Sequence, residues 1–341
     1  MTSRRVKFFL ILTVIGAATG TAGAAAVSRT QLQDYAQWNA RVDAVMQTAS
    51  RLAGRTERLD ALSREIASGS VSDEDARLRG AAIISDLRTR LAKIRARARN
   101  LPPPPVTAHQ PRNKAAQVKR QYTDQLTEKV AGIVESSVAI YESAISGEKT
   151  VEKKLYMKFS QQMIVLLEAE NQTNLAAIAS QPADPLHPQY HLLSCVVETN
   201  EAMMAIWNAI IDVSRGQDAS RIHARMTRRI GRAGSRVKTL TRKGREQVKT
   251  YRKLFREGRQ RGEYPKVQVD LLNRMMDTYE PAYDVEEKIA DALLAYSELP
   301  NMAEQTDAHR RKAEEILGAI GPLAERREKL QARRTQMAAN L

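Results

Sequence analysis

The chain has 341 residues, with 54 Lys and Arg against 39 Asp and Glu, and a formal net charge of +15 at pH 7. Aromatic residues make up 5% of it, and glycine and proline fall mostly in a few clusters, which argues against a sheet-rich fold. The single cysteine, Cys195, excludes an intrachain disulfide, so packing alone must stabilise the fold. We predict an all-α, elongated protein made of helical hairpins and a bundle, with coiled-coil segments and about eight helices.

Residues 1–26 have the composition of an export signal. Arg4, Arg5 and Lys7 precede an apolar run that begins at Phe8, and the Ala-rich stretch at 22–26 offers Ala-x-Ala cleavage sites. Arginine outnumbers lysine about two to one, which together with the Ala-rich signal favours a bacterial envelope protein. We predict a periplasmic or secreted protein; the alternative is an uncleaved inner-membrane anchor with the rest of the chain facing the periplasm.

An N-terminal coiled-coil hairpin is predicted over residues 27–101. Its first helix carries a seam of residues spaced three and four apart: Tyr35, Trp38, Val42, Val45, Ala49, Leu52, Thr56 and Leu59. After a turn in which Ser72 can cap the next helix, a second seam follows at Ile84, Leu87, Leu91, Ile94, Ala98 and Leu101. The same pattern would also join two copies of the chain, so a homo-oligomer through the 35–59 seam stays open.

Proline marks the next boundaries. Residues 102–111 form a predicted Pro-rich linker, and residues 112–216 a central helical bundle with helices near 114–146, 151–179 and 189–214. The C-terminal region, 217–341, holds a basic helix at 221–262, an acidic helical stretch at 268–304 interrupted by Pro281, and a last helix to about 337 with a kink at Gly321-Pro322.

The basic helix is the strongest functional signal. Residues 221–262 contain sixteen Lys and Arg and two acids, whereas 268–304 contain nine acids and two cations. Antiparallel pairing of the two segments is predicted to bring Lys249 opposite Asp277 and Arg242 opposite Asp284. Such pairing neutralises only about half of the positive excess. The remaining charge either forms a face that is merely solvated or attracts an anion into contact with the helix.

We expect seven cations on the polar side of this helix to make that contact: Arg225, Arg228, Arg229, Arg232, Arg236, Arg242 and Lys243. The expected partner is an anionic envelope surface, such as phospholipid, lipopolysaccharide or cell-wall polymer, or an acidic protein. Nucleic acid is not expected, because the chain carries an export signal and the basic helix has almost no aromatic residues for base stacking.

Two other groups of polar residues fall on helical faces. His191, Cys195 and Glu198 share a spacing that a metal could use, but Cys195 lies among apolar residues as an ordinary buried thiol does, so no metal is expected. Glu170, Asn174 and Asn200 form a predicted polar layer, in which folding back near Pro185 would place Glu170 beside Asn200. The layer would set helix register or lie at the edge of the bundle, which are the favoured interpretations, or would bind a small ligand.

Motifs for catalysis are not found. Gly147-Glu148-Lys149-Thr150 resembles the end of a phosphate-binding loop, but Glu148 replaces the glycine that such a loop needs. We therefore expect an exported, non-catalytic helical scaffold or adaptor of the bacterial envelope, without a cofactor. The alternative is a periplasmic helical-bundle sensor that binds a small ligand or a metal.

Overall fold

A computed structural model describes residues 29–106, 110–147, 149–180, 188–262, 266–301 and 304–339. These residues are almost entirely helical and contain no strand, which confirms the all-α prediction. The predicted export signal lies outside the described residues. The helices are α1 (Arg29–Arg55), α2 (Glu57–Ala67), α3 (Asp73–Arg99), α4 (Gln110–Ser146), α5 (Lys149–Ser180), α6 (Pro188–Ser214), α7 (Ala219–Gln260), α8 (Lys266–Asp277), α9 (Tyr279–Ser297) and α10 (Asp307–Ala339).

Two of the breaks between helices are a single residue long. Thr56 separates α1 from α2, and Thr278 separates α8 from α9, so the described residues make eight helical rods, the predicted number. The second break was predicted at Pro281 and falls at Thr278 instead. A proline ring clashes with the carbonyl four residues earlier, so the break lies upstream of the proline, and Pro281 itself sits in the first turn of α9.

The helix ends follow the signals in the sequence. Ser72 caps α3 by accepting a hydrogen bond from the Asp75 amide (3.2 Å). Glycines in the left-handed conformation follow α2, α4, α6 and α7, at positions where a side chain would be strained. The predicted start and stop positions are therefore confirmed to within a few residues. The last helix, α10, continues through Pro322 as one helix of 33 residues.

The first hydrophobic core joins α1 to α5. Leu52 and Leu59 meet Leu91 of α3, Ile133 of α4 and Phe159 of α5 in one buried cluster. The start of the proline segment is fixed beside a small neighbouring cluster of Trp38, Val42 and Ala116, because the indole of Trp38 donates to the Pro102 carbonyl (3.0 Å). Residues on both sides of the predicted linker contribute to this cluster, and the domain boundaries themselves stay a prediction.

The second half of the molecule surrounds α7. This 42-residue helix is about 63 Å long and packs against α6 on one side and against α9 on the other. The helix α10 closes the bundle by packing on α9 and on α1. Among the described helices, none is long and apolar enough to cross a membrane.

Candidate anion-binding surface

The helix α7 forms because one face is apolar and its start is capped. Asp218 accepts hydrogen bonds from the amides of Ser220 (2.8 Å) and Arg221 (3.2 Å), as predicted. The buried face includes Ile230, Val237 and Phe255, each fully shielded from solvent. The cations lie on the opposite face, outside the core, because burying an unpaired charge costs free energy.

On the side of α8 and α9, α7 pairs with acids in an antiparallel arrangement. Lys238 lies 2.7 Å from Asp291, Arg245 lies 2.7 Å from Asp284, and Arg252 lies 2.9 Å from Asp277. The prediction of an antiparallel basic–acidic hairpin is confirmed. The predicted register of the two helices was wrong by three residues, nearly one helical turn. The number of residues in the connection at 261–265 does not determine how far one helix is shifted along the other.

Small residues let α7 and α9 approach closely. A Cβ atom added to Gly234 would lie 3.2 Å from the backbone oxygen of Ala290, and one added to Gly244 would lie 2.1 Å from the Tyr283 hydroxyl. That hydroxyl donates to the Pro188 carbonyl (2.6 Å). The glycines lower the helix propensity of α7, but they make room for the neighbour that stabilises it.

On its α6 side, α7 forms two further ion pairs. Arg225 contacts the carboxylate of Asp212, and Arg236 lies 3.1 Å from Glu198. Two of the seven predicted contact residues are therefore already engaged within the chain. Their side chains remain largely exposed, at 58% and 69%, so they still border the outer face of the helix.

The other five predicted residues project into solvent. Arg228, Arg229, Arg232, Arg242 and Lys243 are all exposed, and no acid among the described residues lies within 4 Å of them. The other exposed cations that we group with them on α7 complete a set that we call the cationic ridge: Arg221, Arg225, Arg228, Arg229, Arg232, Arg236, Arg242, Lys243, Lys249, Lys253, Arg256 and Arg259.

The cationic ridge is long and almost free of competing features. From Arg221 to Arg259 it extends about 57 Å along the helix axis. Glu246 is the single fully exposed acid of α7. None of the large apolar side chains that are exposed in the described residues lies on α7. The surface can therefore attract an anion along its whole length and offers no apolar side chain for insertion into a lipid bilayer.

The proposed metal residues do not form a metal site in the part of the chain that is described. The His191 ring and the Cys195 thiol are buried between α6 and α7, and the thiol contacts the Val237 carbonyl at 3.9 Å. Burial raises the pKa of Cys195 well above its usual value, which keeps the thiol protonated. Glu198 faces Arg236 instead, and among the described residues no group of three His, Cys, Asp or Glu side chains is arranged to hold a metal ion.

Asn200 takes part in a polar layer between α5 and α6, but its partner there is Asn171 and not the predicted Glu170. The Asn200 amide donates to Asn171 (3.0 Å), whose own amide donates to Glu201 (3.4 Å). Glu170 was expected beside Asn200, but Asn171 occupies that place. Neighbouring residues on a helix differ in direction by about 100°, so Glu170 faces Tyr122 and Glu328 instead. The Asn174 amide nitrogen is buried without a hydrogen-bond partner in the described structure.

A buried charged seam on α10 was missed by sequence reasoning. Ile320, Arg327 and Arg334 are its buried residues among those described, and they recur every seven positions. Arg327 lies 3.8 Å from Glu286 of α9, which is fully buried although the sequence places it in the acidic stretch thought to face α7. The heptad spacing alongside Leu323 and Leu330 was a signal that could have identified this seam.

No protein-family model matches this chain, and no curated protein and no solved structure matches it significantly.

Proposed function

We propose that this protein is a non-catalytic helical scaffold or adaptor of the bacterial envelope, and that its cationic ridge contacts an anionic surface. The observation that carries the proposal is the exposure of Arg228, Arg229, Arg232, Arg242 and Lys243 beside acids that pair with other cations of the same helix. A face that served only to pair α7 with α9 would not need these additional charges.

The absence of large exposed apolar residues on the described α7 favours binding at a surface without insertion. Binding of this kind is electrostatic, so it should weaken steeply as salt screens the charges. Phospholipid is the envelope anion that we propose first, with lipopolysaccharide, cell-wall polymer and an acidic protein as the alternatives. The proposed location outside the cytoplasm rests on the signal-like residues 1–26.

The sensor alternative has less support. It needs ligands that converge, whereas Cys195 and Glu198 face different partners and the Asn200–Asn171–Glu201 hydrogen bonds link two helices directly. The cationic ridge, by contrast, is a large surface whose chemistry is uniform. We therefore give preference to the anion-binding scaffold.

Vesicle co-sedimentation across a salt series tests the proposal. The protein would be the chain from Val27 onward, which retains every residue that the structure describes. We expect binding to vesicles that contain phosphatidylglycerol, no binding to neutral phosphatidylcholine vesicles, and loss of binding as the salt concentration rises. Neutralising four cations of the ridge, in the variant R228Q/R232Q/R242Q/K243Q, should weaken binding about tenfold or more and reduce its salt dependence.

A matched control removes the same charge elsewhere. Arg77, Arg88, Lys93 and Arg97 are exposed on α3, so replacing all four by glutamine changes the net charge equally. This control should bind nearly as the parent protein does. Equal weakening in both variants would mean that net charge, and not the ridge, determines binding, and the absence of binding by the parent protein would end the proposal for phospholipid.

A further inference from the structure

We propose that the edge of α7 facing α6 is a phosphate-binding site, in which Arg229 and Arg232 hold the phosphate group. This inference rests on the anion-binding function proposed above and names its chemistry. Along this edge four arginines follow each other at intervals of four, three and four residues: Arg225, Arg229, Arg232 and Arg236. Residues at such intervals share one helix face, so the stripe covers about 16 Å.

The outer and inner members of the stripe differ in their partners. Arg225 and Arg236 are held by Asp212 and Glu198 of α6. Arg229 and Arg232 are exposed, and neither forms an ion pair with a described residue. Since the outer acids balance the outer arginines, the positive charge at the centre of the stripe is left for an external anion.

A groove lies next to Arg229, and Arg232 follows three residues further along the helix, outside the groove lining. The groove has a volume of about 310 Å³, and its lining includes Arg225 and Arg229 of α7 with Ala205, Asn208, Ala209 and Asp212 of α6. The alanines of α6 keep it open, because larger side chains would fill the space opposite the arginines. Asp212 would repel a phosphate if it were unpaired, but Arg225 contacts its carboxylate. The groove therefore offers an open space beside Arg229, which has no acidic partner among the described residues.

Glu201 is the other acid of α6 that needs consideration, since its register places it toward Arg232. Its carboxylate accepts a hydrogen bond from Asn171 of α5 (3.4 Å), and its distance from Arg232 is beyond ion-pair range. It moderates the local potential without occupying the guanidinium donors. On α6, the residues opposite Arg229 are Ala205 and Asn208, and neither is an acid.

The residue type favours phosphate. All six cations from Arg221 to Arg236 are arginine, whereas four lysines follow between Lys238 and Lys253. A guanidinium donates two parallel hydrogen bonds to an oxyanion, which a lysine ammonium cannot do. A terminal phosphate group has at least three unesterified oxygens and can accept from two neighbouring guanidinium groups, whereas a carboxylate has two oxygens and matches one. Two adjacent unpaired arginines thus fit phosphate best.

Substitutions that keep the charge distinguish a specific phosphate site from general electrostatic attraction between the helix and an anion. The variant R229K/R232K keeps the net charge and removes the forked donors; the control R256K/R259K makes the same change at exposed positions of the same helix away from the groove. The probes are vesicles that contain phosphatidic acid, which carries a terminal phosphate, measured by co-sedimentation, and inorganic pyrophosphate, measured by calorimetry. We expect R229K/R232K to bind vesicles about fivefold or more weakly than the parent at near-physiological salt, and R256K/R259K to bind within twofold of it.

The two probes identify the source of the phosphate. A loss confined to vesicles assigns the site to a lipid headgroup, and a parallel loss with pyrophosphate shows that free phosphate is bound too. Unchanged vesicle binding by R229K/R232K overturns the site while leaving the cationic ridge intact as an electrostatic surface. Failure of the parent protein to bind either probe would instead contradict the proposed function from which this inference starts.

Discussion

Arg245 of α7 and Asp284 of α9 lie 2.7 Å apart and form the middle rung of a ladder of ion pairs. The rungs on either side are Lys238–Asp291 and Arg252–Asp277, the second of which uses the last residue of α8. Each is seven residues away along both segments, and a repeat of seven with opposite chain directions is the register of antiparallel helices packed along a seam. The cations of α7 thereby include a set that pairs with α8 and α9, a set that pairs with α6, Lys253, which lies 3.9 Å from Glu257 of α7 itself, and the unpaired members of the cationic ridge.

Removing the middle rung should loosen this hairpin. Arg245 also lies 2.7 Å from Glu287, so R245Q leaves two carboxylates without their partner. Because these side chains are partly exposed, we expect a loss of about 0.5–1 kcal/mol in the free energy of unfolding, measured by urea denaturation at low salt. R256Q, which removes an exposed cation without an ion pair to the described residues, should have little effect. Equal losses would show that the ladder does not stabilise the fold.

The glycine at the closest approach of α7 to Tyr283 should not tolerate a methyl group. In G244A the added Cβ would overlap the Tyr283 ring, and we expect the free energy of unfolding to fall by about 1–3 kcal/mol. Gly318 on α10 is the control, because no heavy atom of the described structure lies within 4 Å of its Cβ position. There G318A should raise the stability by roughly 0.5–1 kcal/mol through helix propensity alone. Thermal and urea unfolding measure both changes.

The charged seam of α10 should make stability depend on pH. Burial, partly opposed by Arg327 and reinforced by Glu170, raises the pKa of Glu328 from 4.5 to about 7. The folded chain therefore binds this proton more tightly than the unfolded chain does. The resulting stabilisation is full below about pH 4.5 and is lost as the pH rises to 7 and above. Its size is of order 1–3 kcal/mol.

Comparison with E328Q isolates this contribution. Burial also lowers the pKa of His191, and the stabilisation that results from this shift is lost as the pH falls below 6.5. This effect has the opposite pH dependence and is the same in the parent protein and in E328Q. Urea denaturation from pH 4.5 to 8 should show that E328Q loses less stability over this range than the parent. E315Q, at an exposed position of α10, should follow the parent curve. Parallel curves for the parent and E328Q would contradict the assignment to Glu328.

Cys195 should be unreactive until the bundle opens. Its side chain is fully buried against α7, and burial raises the pKa of the thiol, so little thiolate is present at pH 8. We expect an aromatic disulfide reagent to label the native protein slowly, and to label one thiol per chain at once in denaturant. Immediate labelling of the native protein would show that the α6–α7 contact is open in solution.

Much of the fold follows from the chain alone, because the signals involved are local. Ser72 and Asp218 cap their helices where predicted, and Gly69, Gly147, Gly216 and Gly262 end theirs. Apolar spacing also identified the buried faces, as at Val42 and Leu52 of α1. The cationic composition of α7 and its antiparallel pairing with acids follow from charge and from the short connection between the segments.

Other features were decided only by tertiary packing. The three-residue shift of the α7–α9 register arises because Gly234 and Gly244 admit Leu294 and Tyr283 at fixed heights, a contact between distant residues. Tertiary packing also decided that Asn171, and not Glu170, lies beside Asn200, and that Glu286 is buried next to Arg327. Sequence therefore determined which residues form helices and where the positive charge lies, since propensity, capping and composition are local properties. Which cations are paired and which remain exposed depended on how neighbouring helices rotate and slide to fill the core.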